Sequence, residues 1–235
     1  MRFDEEEIIQ QLFTFIKLIL LQKDTYQSFI NLNGVSLCLD MIKAKNFMTL
    51  RAFELLSILA SYKDSISYLL QNKLLGFIFP FFEYDLIEFR NRDEEETMNE
   101  NLIELIFNLL INSNQQERNR VLKKVGKTEF IRSLLGEKIN ITKKLDKINI
   151  ENDKQMNEDE LLLLRINAGL LIRNKISFIL YSHIKENGIK ETEFLNLKVD
   201  SAKTLFCDIE KECKELKTMI DDPSFLVYLE ELDSN

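Results

Sequence analysis

Apolar and polar residues follow one another along this chain with the spacing of amphipathic helices, and the pattern recurs. Residues 13–24 read FTFIKLILLQKD and residues 53–64 read FELLSILASYKD, with their apolar positions aligned at an offset of 40 residues. A weaker third copy, NLIELIFNLLI at residues 101–111, aligns with residues 51–61. Because a helix places every third and fourth residue on one face, these windows predict three equivalent long helices.

The spacing of these copies predicts the fold class. Periods of about 40 to 47 residues are typical of armadillo and HEAT repeats, which contain two or three helices each. We expect an all-α, armadillo/HEAT-like α-solenoid, a right-handed superhelix of three-helix repeats with a C-terminal helical cap. A single domain over residues 1–235 is expected, with repeats at approximately 4–47, 48–92, 93–150 and 158–220 and the cap at 222–233.

Turn-forming residues divide the predicted repeats further. The third helix of each unit is expected to begin at a glycine, Gly34 or Gly76, which permits a sharp reversal of the chain. Pro80 is expected within the first turn of a helix, where its missing N–H costs little. Residues 149–160 are polar enough to predict a loop, and residues 161–184 are expected to form one central helix.

Composition narrows the possible partners and excludes some sites. A net charge of −8 argues against general affinity for the nucleic acid backbone and fits partners with basic segments. Three cysteines without short metal spacing predict free thiols, and we expect neither a metal site nor a cofactor. No secretory signal and no apolar run of about 20 residues are evident, so we expect an intracellular protein that does not cross a membrane.

Three segments carry a resemblance to a known family. They read LGFIFPFF at residues 75–82, QQERNRVL at residues 115–122, and LLRINAGLL at residues 163–171 behind three acidic residues. In order and interval they resemble the carboxy-terminal half of the β-catenin-like protein family, a nuclear armadillo protein associated with the spliceosome. The family has further amino-terminal repeats and a basic localisation segment, so the chain is expected to be a reduced homologue or a fragment.

The resemblance implies a function and a location. Family members form a helical solenoid, join the Nineteen-type splicing complex and bind basic, localisation-signal-like segments of splicing factors. We therefore expect a non-catalytic scaffold for pre-mRNA splicing in the nucleus. Arg165 and Asn167 in the third segment are candidate partner contacts, and Asn167 stands where the family pattern is acidic. A helical adaptor of unrelated lineage in the cytoplasm is an alternative.

Alignment of the long helices with the general armadillo pattern defines a candidate groove. Equivalent positions are Thr14, Glu54 and Glu104, followed four residues later by Leu18, Ile58 and Asn108. Importin-like grooves typically carry Trp and Asn at these two positions, and this sequence contains no Trp. The two glutamates are expected to receive Lys or Arg from a partner, with a solvated helix face as the alternative. Asn108 is expected either to contact the partner or to bond within the solenoid.

A basic segment suggests an alternative partner. Residues 117–147 contain ten Lys or Arg and four Asp or Glu. One hypothesis is contact with RNA phosphates through this segment; a solvated helix that partly neutralises its acidic neighbours is the other. Only Phe130 interleaves with the basic residues, so platforms for base stacking are lacking. The candidate phosphate contacts are Arg118, Arg120, Lys123, Lys124 and Lys127.

Catalytic chemistry has little basis in the sequence. His183 is the only histidine and has no local partner for general base catalysis. Cys207 and Cys213 are separated by six residues, about 240° around a helix, so they cannot bind one metal ion from one face. We expect no enzyme. A homodimer is possible, because the ends of a repeat array or a terminal helix can pair with a second copy.

Overall fold

The computed structural model describes residues 3–46, 48–83, 92–152, 156–187 and 202–234, and every regular element within these ranges is a helix. The chain divides into two compact units, residues 1–121 and 122–235. No helix in these ranges is both long and apolar enough to cross a membrane. The single domain expected over the whole chain stays a prediction.

The first unit follows the predicted order of long, short and third helix. The first two repeats each begin with a long helix, and a third long helix comes after them. The helices are α1 (Phe3–Leu20), α2 (Tyr26–Asn31), α3 (Gly34–Ala44), α4 (Met48–Ala60), α5 (Ile66–Gln71), α6 (Leu74–Ile78), α7 (Pro80–Glu83) and α8 (Arg92–Asn112), with a 3-10 turn at Lys63–Ser65. The next helix, α9 (Gln115–Val125), begins in this unit and ends beyond residue 121. Pro80 is the first residue of α7, as its missing N–H predicts.

Equivalent hydroxyl groups confirm the offset of 40 residues. After α1, the Thr25 hydroxyl donates to the carbonyl of Gln22 at 2.7 Å and also to that of Ile19. After α4, the Ser65 hydroxyl donates to the carbonyl of Tyr62 at 2.8 Å and also to that of Leu59. A helix end leaves carbonyl groups without partners, so these hydroxyls satisfy the ends of two equivalent helices in the same way.

The reversal before the third helix differs from the prediction. Asn33 and Lys73, again 40 residues apart, adopt the left-handed conformation with φ of 60° and 61°, whereas Gly34 and Gly76 lie within helices. Gly34 is needed for a different reason, because a Cβ there would lie 2.4 Å from the Phe29 ring. The third helix of the first repeat thus begins at Gly34, as predicted, and Gly76 is the third residue of α6. The predicted role of glycine in the reversal itself was wrong, because Asn33 and Lys73 adopt the left-handed conformation there.

The core of the first unit lies where the long helices meet. Helix α4 packs against both α3 and α8, and Phe53 and Leu56 at its centre are fully buried. The Phe53 ring meets the Phe81 ring edge to face, with centroids 5.0 Å apart. The aromatic run around Pro80 thus contributes to core packing.

The second unit is built around one buried helix. Its helices are α10 (Thr128–Asn152), α11 (Glu158–Asn167), α12 (Leu170–Asn187), α13 (Ala202–Met219) and α14 (Pro223–Ser234). Helix α12 packs against α10 and α13, and its Phe178 ring meets the rings of Phe225 and Tyr228 of α14 edge to face. Helix α14 matches the predicted terminal cap in position.

The central helix predicted over residues 161–184 is interrupted. Gly169 adopts a φ of 99°, which only glycine reaches easily, and it separates α11 from α12. The segment LLRINAGLL at residues 163–171 has apolar residues on both sides of Gly169, so hydrophobic spacing did not predict the break. The predicted loop over residues 149–160 is shorter than expected, since α10 continues to Asn152. Gly188, expected to end the central helix, lies outside the described residues.

A buried ionic cluster joins three helices of the second unit. The Lys138 ammonium of α10 lies 2.7 Å from the Glu212 carboxylate of α13, and the Arg173 guanidinium of α12 lies 3.4 Å from the same carboxylate. Arg173 also binds Glu215 at 3.0 Å, and the Ser177 hydroxyl donates to Glu212. The cluster neutralises its own charges, as buried ions require.

Candidate partner-binding face

The predicted groove residues of the first unit lie on consecutive long helices that pack side by side. Helix α4 packs against α1 and against α8. One side of α4 is buried in the core, and Glu54 and Ile58 remain half-buried on another side. On α8, Asn101, Glu104 and Asn108 are spaced by three and four residues and so share one face. We call the side of α4 and α8 that carries Glu54 and Glu104 the acidic face.

Glu54 is bound by two cations of its own unit. Its carboxylate accepts from the Lys17 ammonium of α1 and, at 3.2 Å, from the Arg51 guanidinium one turn earlier on α4. The Glu54 side chain keeps 19% of its exposure, and that of Lys17 keeps 40%. The bonds are therefore accessible from solvent, so a cation from a partner can reach the same carboxylate by replacing one of these groups.

Asn108 bonds within the unit, which was one of its two predicted roles. Its amide nitrogen donates to the carbonyl of Ser57 at 3.2 Å, and the side chain is 8% exposed. One turn later, Asn112 donates in the same way to the carbonyl of Ala60 at 3.1 Å. The two asparagines therefore connect α8 to the backbone of α4 and set the relative position of these two helices.

Asn101 is a residue that the sequence did not single out. Its amide nitrogen is shielded from solvent and has no hydrogen-bond partner among the described residues. It lies one turn before Glu104. A shielded donor without an acceptor is unfavourable by about 1–3 kcal/mol. A hydrogen bond from the Asn101 amide to an acceptor on a partner would therefore stabilise the complex. Lys17 and Arg51 were also missed, although Arg51 lies three residues before Glu54, a spacing at which ion pairs form.

Thr14 and Leu18 are the predicted groove positions on α1. Thr14 is exposed, and its hydroxyl donates to the carbonyl of Gln10 one turn earlier at 3.0 Å. Leu18, its neighbour in the predicted groove, is 58% exposed. On α1, the residue that bonds to Glu54 is Lys17, which precedes the predicted groove position Leu18.

Arg165 and Asn167 lie on α11 of the second unit. Asn167 is exposed, and Arg165 is half-buried. The Nε atom of Arg165 is shielded from solvent and has no hydrogen-bond partner in the part of the chain that the structure describes. Helix α11 has no buried residue, and Leu163 at its centre is 61% exposed. These two candidates lie in the second unit, whereas the acidic face is defined in the first.

Fewer residues of the predicted basic patch are exposed than the sequence suggested. Arg118 is buried, and its guanidinium donates to the carbonyls of Leu110 and Ser113, both at 3.3 Å, at the end of α8. Arg120 also donates, to the carbonyl of Leu70 at 3.4 Å. The expectation that Arg118 is an exposed phosphate contact was wrong, because the end of α8 needs donors for its free carbonyls. Exposed basic residues of the predicted set are Arg120, Lys123 and Lys127, with Lys124 half-buried.

His183, Cys38 and Cys213 are buried, whereas Cys207 is exposed. Burial lowers the pKa of His183, whose Nδ1 atom is 3.0 Å from the amide nitrogen of Asn187. Burial raises the pKa of the Cys38 thiol to about 12, and Cys213 is buried with its pKa also raised. Among the described residues, no group of three or more His, Cys, Asp and Glu side chains is arranged to hold a metal ion.

Comparison with known proteins agrees with this architecture. Residues 2–211 match the protein family described as catenin-beta-like, Arm-motif containing nuclear. No curated protein matches the chain. Arm motifs agree with the helical repeats and the offset of 40 residues between them, so the fold is an all-α, armadillo-type solenoid. Since the match covers most of the sequence, the chain belongs to the catenin-beta-like, Arm-motif containing nuclear family.

Proposed function

We propose that the chain is a non-catalytic nuclear scaffold for pre-mRNA splicing, which holds basic, localisation-signal-like segments of splicing factors on its acidic face. The observation that carries the proposal is the pair Glu54 and Glu104 at equivalent positions of adjacent long helices. Membership of a family described as nuclear supports the location. Partners within a Nineteen-type splicing complex are the ones that the resemblance implies.

Binding at this face is an exchange of cations. A Lys or Arg of the partner takes the place of Lys17 or Arg51 at the Glu54 carboxylate, so one ion pair replaces another. Exchanges of this kind contribute little affinity by themselves, since exposed ion pairs are worth about 0.2–1 kcal/mol. Several such contacts along an extended segment are therefore needed, and the amide of Asn101 offers a donor for a main-chain carbonyl beside them.

Charge reversal at both glutamates tests this proposal. The double variant Glu54→Lys with Glu104→Lys should bind a synthetic Lys- and Arg-rich localisation-signal-like peptide about tenfold more weakly, equivalent to about 1.4 kcal/mol. Fluorescence anisotropy at two salt concentrations measures the affinity. The milder variant Glu54→Gln with Glu104→Gln should show a smaller loss in the same direction.

A matched control separates this face from the effect of net charge. Asp40 is exposed on α3, and Glu95 is exposed on the side of α8 opposite Glu104, nine residues away. Asp40→Lys with Glu95→Lys changes the net charge by the same amount, and we expect the peptide to bind it nearly as well as it binds the natural chain. Equal losses in both double variants, with unchanged circular dichroism, would reject the acidic face as the binding site.

A further inference from the structure

The two cations at the Glu54 carboxylate are held there in different ways. The Oε1 atom of Glu54 accepts from the Lys17 ammonium of α1, and its Oε2 atom lies 3.2 Å from the Arg51 guanidinium of α4. Arg51 is a neighbour on the same helix, three residues before Glu54, whereas Lys17 reaches Glu54 from another helix. The presence of Lys17 at this carboxylate therefore depends on the packing of α1 against α4.

Comparison between repeats shows that the fold does not require a cation at the position of Lys17. The equivalent residues are Ser57 on α4, 40 residues later, and Phe107 on α8, 50 residues after Ser57. Both are buried and uncharged. Lysine at this position thus departs from the pattern of the later repeats, and its ammonium lies where a cation of a basic segment would have to bind.

Helix α1 is attached to the rest of its unit by contacts that do not involve Glu54. The Tyr62 hydroxyl donates to the carbonyl of Leu20 at 2.6 Å, and the side chains of Phe13 and Leu20 are buried. The Lys17 side chain is 40% exposed, so its ammonium can exchange the carboxylate for water. Lys17 can therefore leave Glu54 while α1 stays in place.

We propose that Lys17 is a built-in competitor at the acidic face. Its ammonium occupies Glu54 in the free chain and is displaced when a Lys or Arg of a basic segment binds there. The inference rests on the proposed function, because it concerns the regulation of the same site. The apparent affinity for a basic segment is then the intrinsic affinity multiplied by the fraction of chains in which Lys17 has left Glu54.

The exposure of the pair sets the size of the effect. The Lys17 and Glu54 side chains are 40% and 19% exposed, so the ion pair is weak and lowers the apparent affinity about two- to fivefold. The competition is intramolecular, so it acts at every protein concentration. A basic segment must therefore gain at other contacts along the face what it loses in displacing Lys17.

Replacement of Lys17 distinguishes a competitor from a purely structural link between α1 and α4. Lys17→Gln should bind a synthetic Lys- and Arg-rich peptide about two- to fivefold more tightly, because Glu54 is then open to the partner. A purely structural Lys17 would leave the affinity unchanged when it is replaced, or its loss would weaken binding. Lys17→Arg should return the affinity to the natural value or below it, since a guanidinium also occupies the carboxylate. Fluorescence anisotropy at about 0.15 M salt measures all three chains.

Two controls separate competition at Glu54 from the change in net charge. Lys43 is exposed on α3 and binds a different carboxylate, that of Asp40, at 2.7 Å. Lys43→Gln removes the same charge as Lys17→Gln, and we expect it to change the affinity little, because charges more than about 8 Å apart are largely screened at this salt concentration. In a Glu54→Gln background, Lys17→Gln and Lys43→Gln should have equal effects, since the carboxylate through which Lys17 acts is absent.

The outcomes distinguish this inference from the proposed function. Peptide binding by the natural chain, with equal affinities for Lys17→Gln and Lys43→Gln, would overturn the inference and leave the acidic face as the binding site. Weaker binding by Lys17→Gln with unchanged circular dichroism would overturn it as well. Binding by neither the natural chain nor Lys17→Gln would reject the inference together with the proposed function. Binding by Lys17→Gln alone would support the inference, because the natural chain would then be closed by its own cation.

Discussion

At the scale of single residues, the ends of the long helices depend on side chains that satisfy free carbonyl groups. Thr25 and Ser65 supply a hydroxyl after α1 and α4. After α8, the guanidinium of Arg118 supplies two donors instead. The same backbone requirement is therefore met by different chemistry in the third repeat, and this is why Arg118 is buried although its sequence surroundings are strongly basic.

Two glycines at related positions should respond oppositely to alanine. Gly34→Ala should lower the free energy of unfolding by about 1–3 kcal/mol, because the new methyl group would overlap the Phe29 ring. Gly76→Ala should raise it by about 0.5–1 kcal/mol, since nothing lies within 4 Å of the added Cβ and alanine favours the helix. Urea titration followed by circular dichroism measures both. Destabilisation of equal size in the two variants would contradict this packing.

His183 should make stability depend on pH in a defined window. Burial lowers its pKa in the folded chain, so below about pH 6.5 the unfolded chain takes up a proton that the folded chain does not. The free energy of unfolding should therefore fall as the pH is lowered from 6.5 towards the folded pKa. Above pH 6.5 histidine is neutral in both states and adds no pH dependence.

The variant His183→Gln isolates this effect, because the chain contains one histidine. Thermal unfolding of the natural chain and the variant, compared between about pH 7.5 and 5.5, should show the natural chain losing more stability on acidification. Carboxylate titration is common to both and cancels in the comparison. Parallel curves would show that His183 has the same proton affinity in the folded and unfolded chains.

At the scale of elements, the long helices were predictable and their interruptions were not. Periodicity predicts long helices over residues 5–21, 49–62 and 94–111, within two residues of the observed bounds of α1, α4 and α8, because each helix buries one face. Gly169 divides a run of apolar residues that continues on both sides, so hydrophobic spacing carries no signal of the break. Asn33 and Lys73 adopt the left-handed conformation at the turns, although glycine was expected there and Gly34 and Gly76 follow one and three residues later.

The ionic cluster of the second unit was also invisible in the sequence, since its members come from three separate helices. Lys138, Arg173 and Glu212 each stand in helices with many charged residues, and spacing does not show which charges are buried. Burial of Lys138 and Arg173 around the Glu212 carboxylate predicts that α10, α12 and α13 depend on Glu212 for their relative positions.

Removal of the Glu212 charge should therefore be costly. Glu212→Gln leaves Lys138 and Arg173 buried with too little negative charge, and we expect a loss of about 3–5 kcal/mol in the free energy of unfolding. Glu210→Gln is the matched control, because Glu210 is exposed and binds Lys214 on the same helix. It should change stability little. Equal stability of the two variants in urea would contradict a structural role for the cluster.

At the scale of the whole molecule, the fold class and the family followed from sequence more readily than the site. Repeated apolar spacing depends only on local periodicity, so it can be read from one sequence. The acidic face depends on pairings across repeats, such as Lys17 with Glu54, which lie 37 residues apart. Alignment placed Glu54 and Glu104 at equivalent positions, but it did not show that Glu54 is already bound or that Asn108 bonds inside the unit.

Photo-crosslinking maps the bound peptide most directly. A basic localisation-signal-like peptide with a photoreactive residue beside its central lysines is bound to the full chain, irradiated and analysed by mass spectrometry. We predict cross-links concentrated in residues 48–60 and 92–112, and loss of these cross-links in the Glu54→Lys, Glu104→Lys double variant. Cross-links concentrated in residues 115–152, or an unchanged pattern in the double variant, would contradict a scaffold that binds through its acidic face.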